Sequence, residues 1–227
     1  MLLFQITELS PAEETITGGG EATVSVMDLI MQGGFMMIPI AILSIIAIYI
    51  FVERVLTIKK ADQTPPDFIE SIKNRVLGGD INGAKLLCVQ NNTPIAKMIE
   101  KGISRIGSPL KTIEVSIENV GKIEIFKLEK NLSLLATISG SAPMLGFLGT
   151  VIGMIQSFIS IAQEEGSVSP KLLSEGIYTA MVTTAAGLFV GILAYIGYNY
   201  LVSRVQKVVH RMEYTSIDFI DLLQEPN

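Results

Sequence analysis

The side chains that could handle protons inside the most apolar parts of this chain are threonine hydroxyls. Thr150 lies in one long uncharged run, and Thr183 and Thr184 lie in another. Neither run contains Asp, Glu, Lys, Arg or His, although proton relays through membranes normally use such groups. A threonine can bond its own helix backbone, so each hydroxyl alone is weak evidence. Because both runs are rich in glycine, the hydroxyls predict a polar seam shared by two helices, to which a partner would bring any titratable group.

Small residues accompany these threonines at steps of three and four, which places them on one face of each helix. Gly149 and Gly153 form a GxxxG pair, and so do Gly187 and Gly191. Small residues let helix backbones approach each other in lipid, where association depends on packing. Packing alone explains most of these glycines. The predicted helix-packing residues are Pro143, Gly146, Gly149, Gly153, Gly187 and Gly191.

Three uncharged stretches are long enough to hold these residues in membrane helices. One lies between Asp28 and Glu53, one follows Lys130 and one follows Glu175. They run for about 24, 33 and 28 residues, and about 20 apolar residues cross a bilayer. The sequence therefore predicts an all-α integral membrane protein whose transmembrane helices occupy residues 29–52, 131–162 and 176–203.

The distribution of charge predicts which side of the membrane each connecting segment occupies. Basic residues flanking spans mark the cytoplasmic side. Segments 53–130 and 204–227 carry the lysines and arginines that follow the first and third spans, whereas 1–28 and the loop 163–175 are mainly acidic. We expect an N-terminus outside the cytoplasm, a cytoplasmic helical domain at 53–130, a short outer loop and a cytoplasmic C-terminal helix.

Turn residues divide the predicted cytoplasmic domain into short helices. Pro65–Pro66, Gly78–Gly79 and Thr93–Pro94 mark their boundaries, because such residues start or stop helices. From Pro109 onward the apolar residues recur at helical spacing, so we expect one uninterrupted helix that continues into the second span. Its interleaved charges are typical of a solvated helix surface. The third span is likewise expected to continue into the cytoplasm.

Several function classes lack the residues they need. Cys88 is the only cysteine, so it is expected to be an idle thiol. The sequence contains no metal-ligand cluster, no phosphate-binding loop and no nucleophile paired with a base. We therefore expect no enzymatic activity, no cofactor, no bound metal and no nucleic-acid ligand. The N-terminus lacks the basic region of a cleavable signal peptide.

Two stretches carry a resemblance to a known family. ATISGSAPMLGFLGTVIGM at 136–154 resembles the second-span signature of the MotA/TolQ/ExbB proton-channel family. TAMVTTAAGL at 179–188 resembles the third-span signature, and Glu53–Arg54 and Tyr198–Asn199 are also similar. The match is closest to the three-span ExbB and TolQ branches, since the MotA branch has four spans.

The resemblance implies a homopentamer in the bacterial inner membrane, with a periplasmic N-terminus and a cytoplasmic C-terminus. Its second and third spans would line a central pore that holds single-span ExbD- or TolR-type subunits, each with a membrane aspartate. Thr150 and Thr184, with Thr183, would line the proton pathway. Many members carry a glutamate where this chain has Thr179, and Glu175 lies one turn earlier, so both are candidate pore-mouth residues.

Three functions remain open from the sequence. An ExbB-like subunit would use the proton motive force to energise a TonB-type protein for outer-membrane transport. A TolQ-like subunit would use the same machinery to maintain envelope integrity. A passive oligomeric scaffold would use the glycine faces for assembly alone.

Overall fold

The computed structural model describes residues 34–65, 67–163 and 170–224. Within these ranges the chain forms seven helices and no strand. They are α1 (Met37–Ala61), α2 (Phe68–Leu77), α3 (Ile81–Asn91), α4 (Pro94–Ile103), α5 (Leu110–Glu129), α6 (Leu132–Gln163) and α7 (Pro170–Gln224). The predicted segment 1–28 and residues 164–169 of the predicted loop 163–175 lie outside the described residues, and the described part of that loop, 170–175, forms the first turns of α7.

Three helical stretches among the described residues are long and apolar enough to cross a membrane, which confirms the predicted class. They are Met37–Ala61, the stretch Leu110–Gln163 that includes α5 and the apolar helix α6, and Leu173–Gln224. The first helix begins after a turn at 34–36 and continues past Glu53 to Ala61. The third continues without a break to Gln224, as predicted.

The expectation of one uninterrupted helix from Pro109 into the second span is wrong. The helix breaks between α5 and α6, where Lys130 has an extended backbone with ψ 136°. Asn131 follows with a left-handed φ of +64°. Asparagine adopts this conformation more readily than most residues, because its short polar side chain bonds locally. A two-residue break therefore separates the charged helix α5 from the apolar helix α6.

Local sequence signals place the ends of the short helices. Asp80 caps α3 by accepting a hydrogen bond from the Gly83 backbone nitrogen at 2.9 Å. Thr93 caps α4 through the Ala96 nitrogen at 3.3 Å, with Pro94 at the first helical position. Such caps satisfy backbone N–H groups that have no partner inside the helix. The chain leaves α3 at Asn92, in a left-handed conformation with φ +43°.

We call α2–α5 together with residues 204–224 of α7 the head. Its core is formed mainly by aliphatic side chains from all five of these helices, including Ile72, Ile99, Ile117 and Met212, each 1% exposed or less. The core continues along α7 to Leu201 and into the apolar part of α1. Burial of this shared core attaches the head to α1 and to the C-terminal part of α7. The head is continuous with α7 and is joined to α6 through the break after α5.

Candidate functional site

Helices α6 and α7 lie in close contact along a seam of small residues. A methyl group added at Gly187 would lie 2.6 Å from the Ala142 carbonyl oxygen and 2.9 Å from the Gly146 Cα. One added at Gly153 would lie 3.0 Å from the Ala180 Cβ. The two backbones thus meet where the sequence predicted close packing.

Pro143 shapes the same seam. Proline cannot donate a backbone hydrogen bond within a helix, so the carbonyl one turn earlier, at Ser139, loses its usual partner. Gly191 lies over this site, because a methyl group added there would be 2.6 Å from the Pro143 Cδ and 3.1 Å from the Ser139 oxygen. The absence of a side chain at Gly191 gives the proline ring its space.

A hydrogen bond crosses the seam between Thr184 and Gly146. The Thr184 hydroxyl on α7 donates to the Gly146 carbonyl on α6 over 2.9 Å. In an α-helix that carbonyl also accepts the backbone N–H of Thr150, and a carbonyl has lone pairs for both. The α6–α7 contact is therefore polar at this level, and the bond brings Thr184 to the turn of α6 that carries Thr150.

Thr150 and Thr184 both keep part of their surface exposed in the single chain. The Thr150 hydroxyl donates to its own helix, to the Phe147 carbonyl at 2.6 Å. Such a bond satisfies the hydroxyl in lipid but can be exchanged for another acceptor. The two threonines can therefore present oxygen atoms to a third helix without first breaking the α6–α7 contact.

Thr183 occupies a different position from the other two threonines. It is 2% exposed, and its hydroxyl donates within α7, to the Ala180 carbonyl at 2.7 Å. A methyl group added at Gly149 would lie 2.8 Å from its oxygen. Thr183 thus fills the space that Gly149 leaves, and the pore-lining role predicted for it stays a prediction.

The two candidate pore-mouth residues lie one turn apart near the start of α7. Glu175 is exposed and Thr179 is partly buried. A methyl group added at Gly34, just before α1, would be 3.7 Å from the Thr179 methyl group. Thr179 therefore faces the chain segment that enters α1, and the pore-mouth role predicted for it and for Glu175 stays a prediction.

The outer faces of α6 and α7 are apolar. Phe147, Phe158, Met181 and Phe189 are each 59% exposed or more in the single chain. Large apolar side chains exposed together in this way mark contacts with lipid or with other proteins. The seam is therefore flanked by surfaces suited to lipid or to neighbouring helices.

Sequence reasoning missed a buried ionic cluster at the C-terminal end of α5, where α1 and α4 contact it. Arg54 of α1 is 4% exposed, pairs with Glu53, and donates to the main-chain carbonyl of Lys127 at 2.9 Å. That carbonyl lies in the last turn of α5, where helix carbonyls lack internal partners and a cation is favourable. Arg54 therefore joins α1 to the end of α5, next to the break before α6.

Glu124 is the second buried member of this cluster. Only 8% of its side chain is exposed, and it binds Lys127 at 2.6 Å and Lys97 at 3.2 Å. Burial would raise the pKa of the Glu124 carboxyl, but the hydrogen bonds from Lys127 and Lys97 outweigh burial and hold it below its usual value. The solvated-surface interpretation is wrong for Glu124 and fits the exposed pair Glu118–Lys122, at 2.7 Å. No sequence pattern distinguished these two glutamates.

Comparison with known proteins places the sequence of this region in one family. The model of the MotA/TolQ/ExbB proton channel family matches residues 90–214, which include α5, α6 and most of α7. The match therefore contains the whole described seam and the end of α5 that Arg54 contacts. It covers more than half of the chain.

Individual relatives carry names from two branches of that family. An ExbB homolog for biopolymer transport from Methanothermobacter thermautotrophicus is 28% identical over 83% of this chain and 67% of its own length. The biopolymer transport protein exbB1 of Vibrio cholerae is 35% identical over 44% of this chain and 43% of its own length. The Tol-Pal system protein TolQ of Pseudomonas aeruginosa is 37% identical over 40% of this chain and 39% of its own length.

Proposed function

Because this chain belongs to the MotA/TolQ/ExbB proton channel family, we propose that it is an ExbB-like subunit of a proton-driven motor. It is a multi-pass protein of the inner membrane. In the proposal it works with ExbD-type single-span subunits and energises a TonB-type protein for outer-membrane transport. No catalytic residue and no cofactor enters the proposal.

The observation that carries the proposal is the hydrogen bond from Thr184 to the Gly146 carbonyl. It holds two hydroxyls, those of Thr150 and Thr184, at one level of the α6–α7 pair. An aspartate of a partner helix that reached this level in its protonated form could donate to the hydroxyl oxygens. Its charged form would receive a hydrogen bond from Thr150 or Thr184 only when that hydroxyl gives up its present acceptor, the Phe147 or the Gly146 carbonyl. Since an unpaired carboxylate in lipid is strongly disfavoured, these groups would ease each change of protonation.

The proposal needs a partner because the chain itself supplies no acid at this depth. Residues 131–162 and 176–203 contain no Asp, Glu, Lys, Arg or His. A proton relay normally passes through such groups, so the titratable side chain would come from the single-span subunit. Glu175 and Thr179 would lie at the mouth of the pathway, towards the periplasm.

The proposed assembly is a homopentamer in a bacterial inner membrane, with α6 and α7 of each copy around a central pore. The proposed topology has residues 1–28 and 163–175 in the periplasm and residues 53–130 and 204–227 in the cytoplasm. It follows from the excess of basic residues after the first and third spans. The spans would then be 29–52, 131–162 and 176–203.

The decisive experiment compares Thr150→Val and Thr184→Val with wild type in proton-dependent, TonB-dependent uptake. Valine keeps the shape of threonine and removes the hydroxyl, so uptake should fall at least tenfold in the double variant while the complex still assembles. Native mass of the complex, purified with and without its single-span partner, checks assembly. Wild-type uptake in the double variant contradicts the proposed role of the hydroxyls.

A TolQ-like role is a second candidate, favoured by the 37% identity to the Tol-Pal system protein over the matched region. Complementation separates the two. Restored uptake in a strain without ExbB supports the first role, and restored resistance to detergent in a strain without TolQ supports the second. A passive scaffold would instead lose assembly, and not only activity, in the threonine variants.

A further inference from the structure

A second site lies beside the seam, between α1 and α7. An apolar groove of about 460 Å³ opens there, with walls from α1, α6 and α7. Phe189 and Leu193 line it and are 65% and 54% exposed, so the groove is open on one side. It ends at Tyr200.

The length of this groove fits one leaflet of a bilayer. Along α7 it extends from Phe189 to Tyr200, which is about 16 Å of helix axis. The hydrocarbon core of a bilayer is about 30 Å thick, so one leaflet contributes about half of that. The groove is therefore long enough for an acyl chain that enters at Tyr200 and extends through one leaflet towards Phe189.

Tyr200 also lines a second groove of about 380 Å³, which carries the basic side chains Lys59 and Arg204. The Tyr200 ring packs against Phe51, with centroids 6.3 Å apart, and so lies at the junction of the two grooves. Lys59 is in the last turn of α1, and Arg204 is the first charged residue after the third uncharged run. The apolar groove thus leads directly to a cationic one.

The charges in the second groove favour an anion. Its acidic side chain, Asp62, pairs with Arg211 at 2.7 Å, so its charge is balanced. Arg204 lies over the Tyr200 ring at 5.2 Å and uses Nε to donate to the Tyr200 hydroxyl at 3.2 Å. This contact orients the guanidinium and leaves its terminal nitrogens for phosphate oxygens.

From these contacts we infer that α1 and α7 bind one anionic phospholipid, with its phosphate at Lys59 and Arg204 and an acyl chain in the groove ending at Tyr200. Apolar contact gives little selectivity, because the bilayer is as apolar as the groove. Selectivity for an anionic head group comes from the two cations. The site requires only that α1 and α7 lie in a membrane, so it is independent of proton flow through the seam.

Native mass spectrometry of the purified protein in detergent, supplied with phosphatidylglycerol and phosphatidylcholine, tests the head-group contact. Wild type should retain phosphatidylglycerol in preference to phosphatidylcholine. Lys59→Gln with Arg204→Gln should bind phosphatidylglycerol roughly tenfold more weakly. Lys59→Arg with Arg204→Lys keeps both charges and should retain most of the binding. Lys207→Gln is the matched control, since this exposed residue on α7 is outside both grooves.

Leu193→Trp tests the acyl-chain contact without changing any charge. The indole should fill the open side of the apolar groove and reduce phosphatidylglycerol retention, while circular dichroism and the size of the complex stay as in wild type. Equal retention of both lipids by wild type overturns the proposal, as does unchanged binding in the double glutamine variant. Dissociation of the oligomer by Leu193→Trp also overturns it, because the groove would then hold a second copy of the chain.

Discussion

The Thr184 hydroxyl on α7 donates a hydrogen bond to the Gly146 carbonyl on α6 over 2.9 Å. The contact is possible because neither Gly146 nor the nearby Gly187 has a side chain to hold the helices apart. The same small residues that allow close packing therefore also bring a hydroxyl to the neighbouring backbone. Stability and polarity of the seam depend on the same positions.

Thr184→Val is expected to destabilise the protein more than Thr150→Val. The first removes a bond between two helices, worth about 0.6 kcal/mol on average in a membrane protein. The second removes a bond within one helix, from Thr150 to the Phe147 carbonyl. The free energy of unfolding in mixed detergent micelles measures the difference. Thr184→Ser keeps the hydroxyl and should restore most of the loss. Equal destabilisation by both valine variants would show that the crossing bond contributes nothing.

Gly187→Ala is expected to separate α6 from α7. The added methyl group would lie 2.6 Å from the Ala142 carbonyl oxygen, and backbone atoms on both sides cannot rotate away. Overpacking of this kind costs about 1–3 kcal/mol. Gly140→Ala is the matched control, because nothing lies within 4 Å of the added carbon. It should stabilise α6 by up to about 1 kcal/mol through helix propensity. Thermal unfolding in detergent compares the two, and a loss of similar size in Gly140→Ala would contradict the packing argument.

Glu124→Gln is expected to lower stability at neutral pH and to matter less in acid. The pKa of the Glu124 carboxyl is held below its usual value, so its ionised form stabilises the fold above the unfolded-state pKa. That contribution is lost as the pH falls through the folded-state pKa. Its lysine partners are 37% and 59% exposed, so solvent screening limits the loss to about 1 kcal/mol.

Unfolding measured between neutral pH and pH 4 tests the Glu124 prediction. Glu118→Gln is the control, because Glu118 forms an exposed pair with Lys122 on the same helix. It should change stability little at any pH. A pH-independent loss in Glu124→Gln would mean that the side chain acts through its shape and not its charge.

Cys88 is expected to resist alkylation in the folded protein. The thiol is 1% exposed. Burial, aided by the nearby charge of Glu100, raises its pKa to about 12. Since the thiolate is the nucleophile, iodoacetamide at pH 8 should label native protein far more slowly than unfolded protein. Mass spectrometry over time follows the reaction. Leu86→Cys with Cys88→Ser moves the thiol to an exposed position on the same helix and should label quickly. Rapid labelling of native Cys88 would mean that α3 opens readily.

The sequence by itself determined the class of protein and the residues of the seam. Charge is costly in lipid, so the uncharged runs marked the three long helices without any structural information. Small residues at steps of three and four marked the faces that α6 and α7 turn towards each other, because helical spacing fixes which residues share a face. Gly78–Gly79 and Thr93–Pro94 were likewise local signals, and they marked helix boundaries.

The tertiary structure alone decided which of these residues meet and how. Thr183 and Thr184 are adjacent in the chain, yet a helix turns by about 100° per residue, so one packs on Gly149 while the other reaches the Gly146 carbonyl. Burial of Glu124 and exposure of Glu118 depend on which face of α5 meets α4, which no local pattern specifies. The meeting of Lys59 and Arg204, far apart in sequence, depends on how α1 packs against α7. Contacts between distant segments are set by the packing of whole helices, and that information is not contained in any short stretch of the chain.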